Sequence, residues 1–465
     1  MAMILVRGLL VASAILQASA SVTIRKTGQG PTGYEVDFKY TNATARRVLI
    51  GGGLQPFTDR FHTTPTTNAM YDPHTYQPGD FYVRSHPPAN YPWPYEMTLD
   101  EGEADGKGKD KGVWSYTTPL PSGVYSFAYL VDCDYALNCT VDTGHLVLDP
   151  DLPPFQNVPG DQVASSFQVP FDPAFQSKPG EPWANFDYAL PAAAPEHRGT
   201  VRAVNYTSPG SIHPAPDVHD FAIYLPAEYG RGRSGTKQYP LLYLSHGANG
   251  NAAEWENLAR ASSILDNLIA AGHIPPTVVV MPSFYNLDAT LPRFVYGSSQ
   301  IVPAPYPDHV RANYQQYLFP WVEEHYDVCR ESSCRAFAGL SLGGALAYEM
   351  YVNATDYFDY YGFFSPATVA SYLTSAEGKP GLVGKGLFIG AGLYDGLLPA
   401  ALDLQGSLDA LGAKYVSRVS PFGSHYWNTW QDHLCEFFFA FGFVSSRRRL
   451  MVCVATGLRP QGNTH

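Results

Sequence analysis

Residues Gly339-Leu340-Ser341-Leu342-Gly343 stand between a short apolar run, Ala336 to Ala338, and a small-residue segment of helical texture, Ala345 to Tyr351. A strand that turns sharply into a helix across Gly-x-Ser-x-Gly constrains the chain more than any other stretch of it. Glycines flanking the serine have no Cβ, so the turn can be strained and the strand and helix can approach closely. Such a turn lifts a serine hydroxyl above the end of a sheet. The helix behind it presents its positive end to developing negative charge. An ordinary strand-to-helix turn could carry the same glycines, so the reading depends on whether the rest of the chain supplies partners.

A serine hydroxyl attacks at neutral pH only when a base takes its proton, and the base needs an acid to orient it. On sheets with this turn the chain order is Ser, acid, His. Beyond Ser341 the histidines are His425, His433 and the terminal His465. His425 lies in Phe422-Gly-Ser-His-Tyr-Trp-Asn-Thr-Trp430, on a loop just before a predicted helix, whereas His433 falls inside that helix and reads as packing. Lys385 to Gly390 predicts a strand, and Asp395 is the first carboxylate beyond it; Asp403 and Asp409 sit in a later helical stretch. The candidate triad is therefore Ser341, Asp395 and His425. An oxyanion needs two N–H donors. Leu342 supplies one, and the turn His246-Gly-Ala-Asn-Gly250 supplies the other, from Ala248 with Gly247 as the fallback. His246 belongs to that turn and reads as structural. Among aromatic residues near these stretches, Tyr285 and Trp427 are the candidate substrate contacts.

Strands alternate with helices from residue 199 onward. Pro240 to Ser245 and Thr277 to Met281 are apolar on both faces, while residues 251–271 and 308–326 have helical spacing. That pattern predicts an α/β fold with a mostly parallel sheet covered on both sides, the α/β-hydrolase plan, over residues 199–443. Residues 21–151 instead alternate in short strands such as Tyr34 to Tyr40 and Tyr125 to Val131, predicting an all-β immunoglobulin-like sandwich. The proline-rich residues 152–198 read as a linker. Residues 1–20 read as a secretory signal, with Arg7, an apolar run and Ala18-Ser19-Ala20 for cleavage, so that the mature chain begins near Ser21. Export fits four sequons, at Asn42, Asn138, Asn205 and Asn353, and six cysteines. Cys133 and Cys139 flank one short loop, Cys329 and Cys334 another, leaving Cys435 and Cys453 as a possible third pair. Thirty basic against forty-two acidic residues give a net charge of −12, which argues against a nucleic-acid footprint. No stretch after the signal is long and apolar enough to span a bilayer, and no spacing of ligands implies zinc or any organic cofactor.

Met97-Thr-Leu-Asp100, Gly112-Val-Trp-Ser-Tyr116, Leu120 to Phe127, Leu130-Val-Asp132 and Leu148-Asp-Pro150 resemble the early-set domain of carbohydrate-binding module family 48. In that family the domain either binds polysaccharide or packs on a catalytic neighbour. Tyr91, Trp93 and Tyr95 suit stacking on sugar rings or interdomain packing. Tyr239 to Gly247, Trp255, Ile264 to Ile269, Val278 to Pro282, Ala338 to Gly344 and the His425, Trp427, Trp430 cluster resemble the esterase-D-type hydrolases of carbohydrate esterase family 1. The resemblance covers roughly Gly199 to Phe443, and that group includes feruloyl and acetylxylan esterases. It implies that Ser341 is acylated, His425 shuttles the proton, Asp395 orients it and water releases the acid. The implied substrate is a feruloyl or acetyl ester of plant cell-wall polysaccharide, or a small ester. Two alternatives stay open: the same triad acting on a siderophore ester, a lipid ester or in acyl transfer, and a non-catalytic carbohydrate-binding protein. The sequence departs from the family at His246 to Asn251, where relatives more often carry an acidic residue. Residues 444–465, with Arg447 to Arg449, have no counterpart there and are expected to be disordered.

Overall fold

In a computed structural model, the protein is described at residues 19–29, 33–52, 95–100, 112–120, 123–133, 144–152, 164–170, 194–230, 238–296, 303, 305–367, 379, 381–392, 395–420 and 425–441. Residues 1–18 of the expected signal, the tail 444–465, Tyr91, Trp93 and the side chain of Tyr95 lie outside these residues.

The N-terminal part is built from two antiparallel sheets. One runs β1 (Ser19–Lys26), β2 (Tyr34–Thr41), β6 (Val113–Pro119), β5 (Thr98–Leu99). The other runs β4 (Tyr95–Glu96), β3 (Val48–Gly52), β7 (Gly123–Val131), β8 (Leu146–Val147), with β9 (Ser165–Val169) also paired to β7. Period-two alternation explains β2, where Val36, Phe38 and Tyr40 point inward. Phe38 meets Phe127 of β7 and Phe167 of β9 edge-to-face, at 5.2 and 5.6 Å between ring centroids. One sequence expectation needs correcting. The segment 152–198, read as a linker, contributes β9, because Phe167 and Val169 fill the space between the sheets. β1 starts at Ser19, and Ala20 is buried opposite Tyr40.

The C-terminal part is an eight-stranded sheet ordered β10 (Thr200–Thr207), β11 (Val218–Leu225), β13 (Val278–Pro282), β12 (Leu241–Ser245), β14 (Arg335–Leu340), β15 (Tyr360–Phe364), β16 (Gly386–Gly392), β17 (Tyr415–Ser420). Only β11 runs against the others in this sheet, which gives the mostly parallel arrangement expected. Every residue of β12, β13 and β14 is buried. The reason is two helical layers. Tyr243 and Phe337 on one face pack with α4 (Phe319–His325), α5 (Leu342–Asn353) and α6 (Leu398–Leu411). Leu242 and Ala338 on the other pack with α1 (Glu254–Asn257), α2 (Ala261–Ala270) and α7 (Trp427–Phe441).

The helix expected over 251–271 is broken into α1 and α2. Arg260 lies in the left-handed region at φ 55°, and the Glu256 carboxylate accepts the Ser262 N–H and hydroxyl at 2.9 and 2.6 Å to start α2. Residues 308–326 do form one helical run, α3 (Pro307–Asn313) continuing into α4 through a π turn at Tyr314–Leu318. Pro320, which has no N–H to donate, follows that turn. Cys329 and Cys334 are bonded, and Cys133 is disulfide-bonded while Cys139 lies outside the described residues. Cys435 is not paired; it is a free thiol buried on α7, which corrects the proposed third pair. Among the described residues no helix is long and apolar enough to cross a membrane.

Candidate active site

Ser341 ends β14 and opens α5 with φ 53° and ψ −116°, a conformation β-branched or bulky residues rarely hold. Strain of this kind persists only where the surroundings enforce it, and here they do. The Ser341 N–H donates to Phe364 O at the end of β15, and the Ser341 carbonyl accepts from Ala367 N, both at 2.9 Å. The flanking glycines are needed for space. A Cβ on Gly339 would stand 2.4 Å from Gly343 O, and one on Gly343 would stand 2.2 Å from His246 O.

The loop after β12 lies directly on this turn: a Cβ on Gly247 would be 3.2 Å from Ser341 Cβ. Leu342 is the first residue of α5, so its N–H has no acceptor within the helix. Ala248 is exposed, and its N–H makes no backbone hydrogen bond among the described residues. Both expected oxyanion donors are thus unspent, on segments that touch. The next residue, Asn249, is held by its N–H donating to the Tyr285 hydroxyl at 3.0 Å.

Beyond the end of β16, Asp395 is buried and faces His425, whose Nδ1 lies 3.0 and 3.2 Å from its two carboxylate oxygens. The carboxylate also accepts the Leu397 N–H at 2.8 Å. Burial alone would push Asp395 up. The hydrogen bond and charge of His425, the Ser365 hydroxyl and the Leu397 N–H outweigh it and hold the carboxyl below its usual range. Asp395 is therefore ionised at neutral pH and able to fix the imidazole with Nδ1 protonated and Nε2 free to accept a proton. The His425 ring stands edge-to-face on Trp430 at 5.0 Å, and Trp430 Nε1 donates to Ser365 Oγ at 3.1 Å. Residues 364–367 consequently join the two halves, with their backbone on Ser341 and the Ser365 side chain on Asp395 and Trp430. No hydrogen bond joins Ser341 Oγ to His425 among the described residues, a contact that in ligand-free sites often tightens only with substrate.

The remaining candidates fall into place by burial. His246 is stacked on Phe284 at 4.0 Å, with Nδ1 donating to Gly247 O at 2.7 Å, and burial pushes its pKa down to about 3. It is a neutral prop of the loop, as its position in the turn implied. His433 is buried against Gly390 and Phe364, with its pKa pushed down by burial to about 4, and it is a packing residue. Asp403 and Asp409 are exposed on α6.

Tyr285 and Trp427, read as substrate contacts, are both largely buried. Tyr285 is 3% exposed, stacked on Phe294 at 4.0 Å, and holds the loop after β12 through its hydroxyl. Trp427 is 8% exposed and packed edge-to-face between Trp255 and Trp430. Of the sequons, Asn205 is exposed on the edge strand β10. Asn353 is engaged instead, donating to Glu349 Oε1 at 2.6 Å and accepting from Lys379. Asn42 Oδ1 accepts from Thr44 and Ala45, and Asn138 lies outside the described residues. Ser365 is the residue missed; its only sequence signal is a Ser-Pro step at the end of β15, beside the strand that leads into Ser341. Among the described residues no group of three His, Cys, Asp or Glu side chains is placed to hold a metal ion.

Comparison with known proteins gives an esterase likeness for this part of the chain. Residues 217–441 match the family model described as putative esterase. The endo-1,4-beta-xylanase/feruloyl esterase of Xylanibacter ruminicola is 32% identical over 211 residues, covering 45% of this chain and 27% of that protein. Endo-1,4-beta-xylanase Y of Acetivibrio thermocellus is 27% identical over 186 residues, 36% of this chain and 15% of that protein. The chain thus spans under a third of the length of these curated relatives. Among solved structures, the enterobactin esterase of Shigella flexneri aligns over 88% of this chain and 92% of its own with a TM-score of 0.51 at 15% identity. The Anaeromyces mucronatus ferulic acid esterase aligns over 55% of this chain and 96% of its own with a TM-score of 0.44 at 19% identity. Residues 217–441 are therefore similar in sequence to esterases, and the overall fold is shared with a solved esterase structure.

Proposed function

We propose that the protein is a serine carboxylic-ester hydrolase, working through an acyl-enzyme on Ser341. The observation that carries this is the pairing of a strained serine turn with a buried, ionised Asp395 that orients His425 from the neighbouring strand end. In the cycle, His425 Nε2 takes the Ser341 proton as Oγ attacks the ester carbonyl. The oxyanion is met by the Leu342 and Ala248 N–H groups. His425⁺ then protonates the departing alkoxide, and the alcohol leaves. Water, deprotonated by the same imidazole, releases the acid and restores Ser341.

Feruloyl esters of plant cell-wall polysaccharide are the proposed substrates, with acetyl esters next. The sequence likeness to a xylanase/feruloyl esterase supports this, as does the resemblance to carbohydrate esterase family 1. A second reading, hydrolysis of a catechol-siderophore ester, is favoured by the alignment of an enterobactin esterase over both parts of the chain. We place the protein outside the cell, supported by the N-terminal apolar run and the Cys329–Cys334 disulfide. The N-terminal sandwich is proposed as a family 48-like module. A parallel assay of methyl ferulate, feruloylated arabinoxylan, acetylated xylan, a 4-nitrophenyl acyl series and enterobactin tests the assignment. The highest kcat/KM is expected on feruloyl esters. Preference for enterobactin would replace the substrate class, and no turnover of any ester would reject the enzyme.

A further inference from the structure

The N-terminal sandwich meets the C-terminal part at the first turn of α7, immediately after His425. Gln431, 1% exposed, accepts the Val124 N–H of β7 at 3.3 Å with Oε1 and donates to Ala259 O, in the turn between α1 and α2, at 2.7 Å with Nε2. One side chain thus ties three segments together. Three residues earlier on the same helix face, Asn428 lies against Gly123 so tightly that a Cβ on Gly123 would stand 2.7 Å from Asn428 Cβ. Val124 itself belongs to the apolar cluster that contains Trp255, Trp427 and Trp430, not to the core of its own sandwich. Ser166 of β9 adds a hydrogen bond to Asn257 O at 2.7 Å. The opposite side of the same helical turn carries Trp430, on which the His425 ring rests.

We propose that the sandwich is a working part of the catalytic unit: through Gln431, a positioning residue, β7 fixes the first turn of α7 and with it the catalytic imidazole. The inference rests on the esterase reading. Two buried amide hydrogen bonds and a close backbone approach leave α7 little freedom to shift, and imidazole placement within a fraction of an ångström governs the rate. A corollary follows for the sandwich. The edge formed by Gly123, Val124 and Ser166 is already occupied, so any saccharide must bind elsewhere on it.

The test uses the full chain and counts competent sites by titration with an aryl phosphonate, so that kcat is expressed per labelled serine. Gln431→Met removes both hydrogen bonds at similar volume, and Gly123→Ala, at a φ of 146° that strains any side chain, also pushes on Asn428 from the sandwich side. Thr98→Ala, on the exposed strand β5, is the control. Both test variants should lose about tenfold or more in kcat per labelled serine, with KM for methyl ferulate within twofold of the parent. The downfield His425 Nδ1–H proton resonance should shift in both and stay in place in Thr98→Ala. A merely destabilised fold would lower the number of labelled serines while leaving kcat per serine intact, and that result overturns the proposal. If the parent hydrolyses no ester and takes no phosphonate, the esterase reading fails on its own. The proton resonance then still decides the inference: a shift in Gln431→Met and Gly123→Ala supports it, and an unmoved resonance overturns it.

Discussion

Gly343→Ala isolates the contact between the serine turn and the oxyanion loop. The added Cβ would stand 2.2 Å from His246 O, a backbone atom that cannot rotate away, with Ser245 O at 2.9 Å. Ordinary contact begins at 3.4 Å, so the turn and the loop must part by about 1.2 Å (3.4 − 2.2). Gly343 lies in the first turn of α5, where alanine by itself would favour the helix by up to ~1 kcal/mol. Overpacking of this size costs ~1–3 kcal/mol and decides the sign. The larger effect falls on rate, because the moving loop carries the Ala248 donor. Losing one oxyanion donor, or misplacing it by about 1 Å, lowers turnover roughly 100-fold or more, ~2.7 kcal/mol of barrier. Thermal melting and kcat/KM on a 4-nitrophenyl ester read both effects. Gly406→Ala, on the exposed face of α6 with nothing within 4 Å of the new methyl, is the matched control and should gain ~0.5–1 kcal/mol without touching activity. If Gly343→Ala melted and turned over like the parent, the packing of this loop on the turn would not be what places the oxyanion donors.

Asp395→Asn keeps the shape of the site but leaves His425 without a charge to fix its tautomer, and kcat should fall roughly 10³- to 10⁴-fold with the fold retained; a loss under tenfold would remove Asp395 from the triad. Tyr285→Phe deletes the acceptor of the Asn249 N–H, so kcat should drop several-fold for small and feruloyl esters alike. A rise in KM confined to feruloyl esters would return Tyr285 to the substrate site. Glu256 gives a pH-dependent prediction. Burial raises its pKa to about 8 in the folded protein, against about 4.3 unfolded, so the folded state holds the extra proton and stability declines as pH climbs through that window. Glu256→Gln removes that decline, and its unfolding free energy should gain on the parent steadily from pH 5 to pH 8, by roughly 5 kcal/mol at most. A difference that does not change with pH would show that Glu256 is already ionised when buried.

The strained Ser341 turn and the His425–Asp395 pairing were legible because that chemistry fixes residue types and chain order. Only one serine sits in the glycine-framed turn, and His425 and Asp395 each follow an element that ends at the same rim. The packing of Tyr285 and Trp427 was not legible for a related reason. Aromatic side chains near catalytic loops serve equally well as walls, and sequence carries no sign of which way a ring faces; here one ring holds the oxyanion loop and the other fills the gap between Trp255 and Trp430. β9 was hidden in a proline-rich stretch because its five residues are buried by two different neighbours. Phe167 and Val169 pack into the sandwich and Ser166 bonds to the C-terminal part, so no clean apolar alternation appears. Ser365 was invisible for the same cause, since its value comes from lying between Asp395 and Trp430, which are distant in the chain.

Rapid-quench mass spectrometry of the intact protein during turnover of a 4-nitrophenyl or feruloyl ester measures the covalent intermediate itself. A single acyl adduct should appear on the peptide containing Ser341 within the burst of alcohol release, and both adduct and burst should vanish in Ser341→Ala while that variant melts like the parent. Steady turnover by Ser341→Ala, or an adduct on any other residue, would contradict the assignment of this serine as the nucleophile.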